Sequence, residues 1–245
     1  MLSVKNISKK YGGVKAVNDC SFNIDTGKIT ALIGPNGSGK STIFNLICGV
    51  DKPDTGEIVF KNISLNKLNI EQISNLGISR LFQQSRLFRN LSVRENLLVS
   101  INNEDLSFWH NIFQSSTPTQ EKEIIIKNIL KNIEMDNLSD NFGSDLSFGQ
   151  KRLVEIGRAL LNPHQLLILD EPVAGITPRL REKVVELIKA EKSIGNTIFF
   201  IEHDMSFTLG IADEIIVIDA GKIIARGTPI EIKNNPKVLE AYLGC

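Results

Sequence analysis

An excess of charge of either sign is missing: lysine plus arginine and aspartate plus glutamate each number 28, for a formal net charge of zero. That balance argues against a general nucleic-acid binder, which carries a basic excess or stripe, and leaves only local patches open. Cysteine is scarce: Cys20, Cys48 and Cys245 are widely spaced, with no C-x-x-C pair. A scattered, odd-numbered set fits a reduced cytosolic compartment better than a disulfide framework or a metal site. No apolar run approaches the ~18 residues of a spanning helix. The opening "MLSVKNISKKYGG" has neither a long apolar core nor a small-residue cleavage site, so no signal peptide is expected. A role at a membrane therefore needs a partner. Internal repeats and low-complexity segments are also missing, as is an N-K-x-D guanine reader, since Asn66-Lys67 is followed by Leu68-Asn69.

What is present suffices for a core: 42% of 245 residues are hydrophobic. Residues 2–7 and 20–25 alternate apolar and polar, as half-buried strands do. "KITALIG" (28–34) reads as an apolar strand entering a glycine-rich turn. From Lys40 to Cys48 the pattern is helical, until Gly49 and Pro53 stop it. "GEIVFKN" (56–62) is a further strand. Residues 91–141 differ, with apolar periodic segments at 93–101 and 123–133 around a Ser/Thr/Pro break at 115–119. They predict a helical subdomain whose small core takes Phe108, Trp109 and Phe113, unless that aromatic patch faces a partner.

"DLSFGQKRLVEIGRALL" (145–161) opens with Ser147 and Gln150 at capping-box spacing and continues with Leu153, Ile156 and Leu160 on one helical stripe. A helix start of small residues also binds anions, so Ser147 is either a cap or a phosphate ligand. "QLLILDE" (165–171) and "NTIFFIE" (196–202) suit strands buried on both faces. Between them Thr177 and Pro178 start a helix as N-cap and first helical residue, with Leu180, Val184, Leu187 and Ile188 on its apolar face. "EIIVIDAGKIIARG" (214–227) reads as a hairpin, and Val238, Leu239, Tyr242 and Leu243 serve a short final helix. Strands alternating with helices predict an α/β core with a mostly parallel sheet, whose ligands bind beyond the C-terminal strand ends.

At one such end "GPNGSGKST", Gly34 to Thr42, matches G-x-x-x-x-G-K-[ST] between a predicted strand and a predicted helix. Gly34, Gly37 and Gly39, with Pro35, Asn36 and Ser38 between them, let the backbone curl so that N–H groups point at phosphate oxygens. Lys40 supplies a cation for β- and γ-phosphates, the Ser41 hydroxyl suits Mg²⁺, and Thr42 is placed for the α-phosphate. Asp170 closes its strand where the carboxylate can hold Mg²⁺ directly or through water. Glu171 follows at once, and two adjacent carboxylates at a buried strand end repel and lose hydration. Division of labour resolves this, with Asp170 serving the metal and Glu171 the attacking water.

His203 in "FFIEHDM" follows the other buried strand on the same sheet edge. Alone it reads as an incidental polar residue; beside a phosphate site it reads as a γ-phosphate contact. Gln83 in "RLFQQSRLF" could reach the metal or the water, as could Gln84. Tyr11 in "KKYGG" could stack on a base or serve as an ordinary surface or core tyrosine. Stacking without a guanine reader favours ATP.

Taken in order, an early aromatic, "GPNGSGKST", "FQQ", "LSFGQ", "LLILDE" and "IEHD" resemble the ATP-binding subunits of ABC transporters across essentially the whole chain. The resemblance implies a P-loop NTPase fold of ABC type: a mostly parallel core sheet, an antiparallel β subdomain and an inserted α-helical subdomain. In one domain, 1–84 and 151–245 form the nucleotide-binding core and 85–150 the helical part. It implies Tyr11 as the adenine-stacking aromatic, Gly34–Thr42 as Walker A and Gln83 as the Q-loop glutamine and a metal contact. Leu146–Gln150, and within it Ser147, Phe148, Gly149 and Gln150, becomes the signature that binds the opposing subunit's ATP. Asp170 ends Walker B, Glu171 is the catalytic glutamate and His203 the switch histidine.

The implied cofactors are ATP and Mg²⁺. The implied partners are a second ATPase subunit, identical or related, and transmembrane permease subunits that alone contact the solute. No nucleic acid is implied. The expected place is the cytoplasmic face of the membrane, and the expected reaction is ATP hydrolysis driven through dimer closure.

A narrower likeness lies in "YGGVKAVNDCSF", "SRLFQQSRLFRNLSVRENLL", "DEPVAGITP" and "NNPKVLEAYLG", which are similar to the ATPases of branched-chain amino acid importers and their urea-type relatives. Lipopolysaccharide-export ATPases share much of that ending. Soluble ABC ATPases of translation or DNA repair usually carry paired cassettes or long coiled coils, unlike this chain. A non-hydrolysing regulatory module sits poorly with both Glu171 and His203. Two positions depart from the wider family: Phe148 stands where Gly is usual, an aromatic common in the narrower group, and Thr177 stands where the loop usually carries Asp.

Overall fold

Strands β1 (Leu2–Tyr11) and β2 (Val14–Ile24) pair antiparallel, Leu2 opposite Ile24 and Tyr11 opposite Val14. Alternation puts Leu2, Val4, Cys20, Phe22 and Ile24 in the core, and register shifts between Val4 and Ile7 and between Ile7 and Lys9 bring Ile7 and Val17 in as well. The computed structural model describes residues 1–81, 87–101 and 120–243. Gln83, Gln84, Phe108, Trp109, Phe113 and the 115–119 break lie outside the described residues.

Apolar β3 (Ile29–Ile33), buried throughout, leads through the glycine-rich turn into α1 (Lys40–Ile47). Then come β4 (Thr55–Phe60), β5 (Ile63–Ser64), α2 (Ile70–Asn75) and β6 (Ile78–Leu81). Helices α3 (Val93–Ile101), α4 (Gln120–Asn132) and α5 (Phe148–Leu161) follow. β7 (Leu166–Asp170), α6 (Pro178–Ser193), β8 (Thr197–Ile201) and α7 (Met205–Ile211) come next. The hairpin β9 (Glu214–Asp219) and β10 (Lys222–Gly227) precedes α8 (Pro229–Lys233) and α9 (Pro236–Leu243).

Two sheets result. One is four-stranded in the order β2-β1-β4-β5; the other is six-stranded in the order β10-β9-β3-β8-β7-β6. In the larger sheet β3 pairs parallel with β8 and β9, β7 pairs parallel with β8, and the β9–β10 hairpin pair is antiparallel. β3, β7 and β8 are buried at every residue, which explains why they are apolar but for Thr30, Asp170 and Thr197.

The chain divides into two compact units. The first comprises Met1–Arg80, His164–Pro172 and Ile188–Cys245. Its core runs from the hairpin strands through α1 to the large sheet, where the Phe44 and Phe199 rings stand 4.8 Å apart and Phe22 and Phe199 5.9 Å apart. Each buried phenylalanine contributes roughly 1.5–3 kcal/mol over an exposed one. The second unit comprises Leu81–Pro163 and Val173–Leu187. There α5 comes close to its neighbours at Gly157, where an added Cβ would stand 3.1 Å from Ile133 Cδ1 and 3.2 Å from Leu97 Cδ2. Fully buried Asn96 accepts from the Phe88 N–H at 2.9 Å and donates to the carbonyls of Phe88, Leu91 and Ser92, so its burial leaves no amide group unmatched. On α9, Val238 is buried while Leu239 is half exposed, so the final helix seats a narrower face than its apolar content predicts.

Candidate functional site

The P-loop takes its shape from what stands on either side of it. At Gly34 a Cβ would lie 2.0 Å from the carbonyl oxygen of Ile218 in β9. At Gly39, with φ +108°, it would lie 2.3 Å from the carbonyl of Ala16 in β2. Only glycine fits where two backbones press this close. Hydrogen bonds fix the same arrangement, the Gly221 N–H donating to the Ser38 carbonyl at 3.0 Å and the Asn18 N–H to the Gly221 carbonyl at 2.8 Å.

The first turn of α1 is left open to an anion. α2, α5 and α8 each begin with a reciprocal capping box, whereas Gly39 gives α1 no side-chain cap. Uncapped N–H groups at a positive dipole end are the usual phosphate ligands. The Lys40 ammonium arches back over the loop, donating to the carbonyls of Gly34 at 2.7 Å and Pro35 at 2.8 Å. Of its three protons two are thus accounted for, and the charge is tethered to the loop's own backbone. Burial pulls the Lys40 pKa below the ordinary lysine value, while the charges of Glu171 and Asp170 act to raise it.

Asp170 ends β7 with its side chain 4% exposed, and Oδ2 lies 3.2 Å from Nη2 of Arg80. Arg80, on β6, also donates from Nη1 to Asn45 Oδ1 on α1 at 2.9 Å. No motif marked Arg80 or Asn45. The available signal was an arginine inside the otherwise uncharged strand "ISRL".

Glu171 adopts φ +49°, a left-handed conformation that costs a non-glycine residue about 1–3 kcal/mol and clusters at functional sites. Its N–H is fixed by the Ile201 carbonyl at 3.0 Å. The turn carries its carboxylate to His203, whose Nε2 lies 3.0 Å from Oε1. The Tyr11 hydroxyl donates to Asp51 Oδ2 at 2.5 Å, while the residue stays 44% exposed. Burial and the adjacent Asp51 carboxylate push its pKa up to about 12. A ring held at its hydroxyl end and open to solvent can present a face to a base.

In the second unit Ser147 caps α5: its Oγ accepts from the Gln150 N–H at 3.3 Å and its own N–H donates to Gln150 Oε1 at 2.8 Å. The departure at Phe148 has a neighbour to match. Its ring covers Gly175, where a Cβ would meet Cε1 at 3.0 Å, yet 62% of Phe148 remains exposed. Gly149 likewise lies against Leu180, whose Cδ1 would have to shift to admit a Cβ. Thr177 Oγ1 accepts from the Leu180 N–H at 3.5 Å, the cap expected of it.

Phosphate cradle, lysine, strand-end carboxylate and a glutamate–histidine pair together define a nucleoside-triphosphate-hydrolysing class of site. Comparison with known proteins narrows the class. The family model described as ABC transporter matches residues 17–174, and one described as Branched-chain amino acid ATP-binding cassette transporter matches residues 222–244. The "High-affinity branched-chain amino acid transport ATP-binding protein LivG" of Salmonella typhimurium (strain LT2) is 36% identical, covering 100% of this chain and 98% of its own. The solved ADP conformation of MJ1267, an ATP-binding cassette of an ABC transporter, superposes with a TM-score of 0.85 at 33% identity, covering 100% of this chain and 99% of its own. The dimeric structure of MJ0796, a bacterial ABC transporter cassette, gives 0.81 at 28% identity, covering 94% and 99%. The chain belongs to the ABC transporter family, as one of its ATP-binding, ATP-hydrolysing subunits.

Proposed function

We propose that this subunit powers import of branched-chain amino acids through permease partners, with Glu171 and His203 acting on the γ-phosphate of ATP held by the loop at Gly34–Thr42. The observation that carries the chemistry is the 3.0 Å pair between Glu171 and His203 at the strand ends beside Lys40. The solute class rests on the LivG relative and on the C-terminal segment at 222–244.

Within this reading the loop N–H groups and Lys40 bind the β- and γ-phosphates, Thr42 serves the α-phosphate, and Tyr11 stacks on adenine. Glu171 accepts a proton from the attacking water as its oxygen forms a bond to the γ-phosphorus and the β–γ bridge breaks, giving ADP and inorganic phosphate. His203, held by Glu171, contacts the γ-phosphate. Mg²⁺ fits the donors present: the Ser41 hydroxyl and the Asp170 carboxylate are hard oxygen ligands. Among the described residues no group of three or more histidine, cysteine, aspartate or glutamate side chains could hold a metal ion. Bound at Ser41 and Asp170, Mg²⁺ would neutralise charge on the β- and γ-oxygens. Gln83 is assigned to the same ion and water from sequence.

Ser147, Phe148, Gly149 and Gln150 would meet the ATP of a second subunit; the dimeric structure of the MJ0796 cassette supports the pairing of two such subunits. Among the described residues no helix is long and apolar enough to cross a membrane, so attachment falls to the permease subunits. Isolating the membrane complex tests the reading. Copurifying permease chains and ATPase activity stimulated by branched-chain amino acids with their binding protein are expected; stimulation by an unrelated solute alone would overturn the solute assignment.

A further inference from the structure

Three charged or polar groups from separate elements meet behind the phosphate loop, in the first unit. Arg80 of β6 is the centre: Nη2 lies 3.2 Å from Asp170 Oδ2, Nη1 donates to Asn45 Oδ1 at 2.9 Å, and the buried Cys48 thiol feels its charge. Both side chains of the ion pair are nearly sealed from water, at 8% and 4% exposure. Asn45, on α1, is fixed in turn by the segment that follows the helix, its carbonyl accepting from the Val50 and Asp51 N–H groups at 3.0 and 3.2 Å. The planar guanidinium is thus gripped at both ends by elements that also carry the P-loop and Walker B.

We infer that Arg80 is a positioning residue for the metal-binding carboxylate. By fixing Oδ2, it sets the plane in which the Asp170 carboxylate meets Mg²⁺, and through Asn45 it ties that plane to the helix bearing Lys40 and Ser41. Lysine cannot reproduce this, because an ammonium lacks the two-armed fork that spans Asn45 and Asp170. The inference rests on the proposed nucleotide–metal site, and partners that orient a metal ligand change affinity by about 10–100-fold when replaced.

Mn²⁺, a spectroscopic stand-in for Mg²⁺, tests it directly. Binding is measured by electron paramagnetic resonance with a non-hydrolysable ATP analogue, and analogue binding is measured separately in excess chelator. Arg80→Lys should weaken Mn²⁺ binding at least about tenfold, with metal-free nucleotide affinity within about twofold of wild type. Its ATPase activity should recover as Mg²⁺ is raised, a rescue that loss of folding does not give. Asn45→Ala keeps the ion pair but releases Nη1, and should move Mn²⁺ affinity the same way by less. It reads the same coupling if Arg80→Lys folds poorly. Unchanged Mn²⁺ affinity in folded Arg80→Lys, or equal losses of metal and nucleotide affinity, overturns the positioning role. A wild-type protein showing no nucleotide-dependent Mn²⁺ binding overturns instead the metal site on which it rests.

Discussion

Replacing Ser147 by alanine separates its two roles by magnitude. The capping box has two arms, and alanine removes the longer, the 3.3 Å bond from the Gln150 N–H to Ser147 Oγ. The 2.8 Å bond from the Ser147 N–H to Gln150 Oε1 uses backbone and can persist. A lost N-cap costs about 1 kcal/mol, or roughly 2–4 °C in Tm for a domain of this size. Even from a total stability of only about 5 kcal/mol, the unfolded share would stay on the order of 0.1%. Folding alone therefore predicts nearly full activity. If Ser147 instead contacts a neighbour's γ-phosphate, losing a hydrogen bond to a charged group should slow ATP hydrolysis about 10- to 100-fold.

Thr228→Ala is a stringent control: at the start of α8 Thr228 Oγ1 accepts from the Glu231 N–H at 3.4 Å and also donates to Glu231 Oε2 at 2.9 Å. The Thr228 N–H donates to the same carboxylate at 2.7 Å, so alanine removes at least as much of the cap there. The assay is steady-state ATPase beside thermal unfolding for both variants. Equal activity in the two, or Ser147→Ala within twofold of wild type, refutes the ligand role and leaves only a cap.

Other outcomes follow from the same geometry. Glu171→Gln should keep ATP binding while lowering turnover about 10²- to 10⁴-fold and accumulating an ATP-bound dimer; wild-type phosphate release from that variant would remove the general-base role. Lys40→Ala should lose at least about tenfold in nucleotide affinity, measured calorimetrically, since two carbonyls now aim that charge into the loop. Unchanged affinity contradicts the cradle. Both tyrosines, Tyr11 and Tyr242, are pushed up to about 12, mainly by burial. The folded chain then holds protons that the unfolded chain releases near pH ~10, so stability should fall as pH rises from about 10 to about 12. Ultraviolet titration should show far less tyrosinate at pH ~10 in folded than in denatured protein, and equal signals would contradict the burial.

Motif chemistry made the centre of the site legible in sequence. Gly34 to Thr42 announce themselves because closely spaced glycines and a lysine answer to one requirement, a backbone that can point N–H groups at phosphate. The strands leading to Asp170 and His203 were equally plain, since burial on both faces leaves Leu166–Leu169 and Ile198–Ile201 entirely apolar. Arg80 was not, because its partners stand 35 and 90 residues away in sequence and its strand is only four residues long. α2 also escaped notice, since it buries only Ile73 and is secured by an Asn69–Gln72 capping box rather than an apolar stripe. The left-handed turn at Glu171 and the cover of Gly175 by Phe148 depend on tertiary neighbours, which spacing alone does not reveal.

The carbonyls of Ala16 and Ile218 that crowd Gly34 and Gly39 bear on how this protein can be re-engineered. They make strands β2 and β9 the two jaws of a mould. A chimaera that swaps 28–48 alone from a relative would cast a foreign loop in native jaws, and one that swaps only 14–24 would do the reverse. Exchanging 14–48 and 214–227 together moves the casting with its mould, and is the graft for which we expect nucleotide affinity to travel intact.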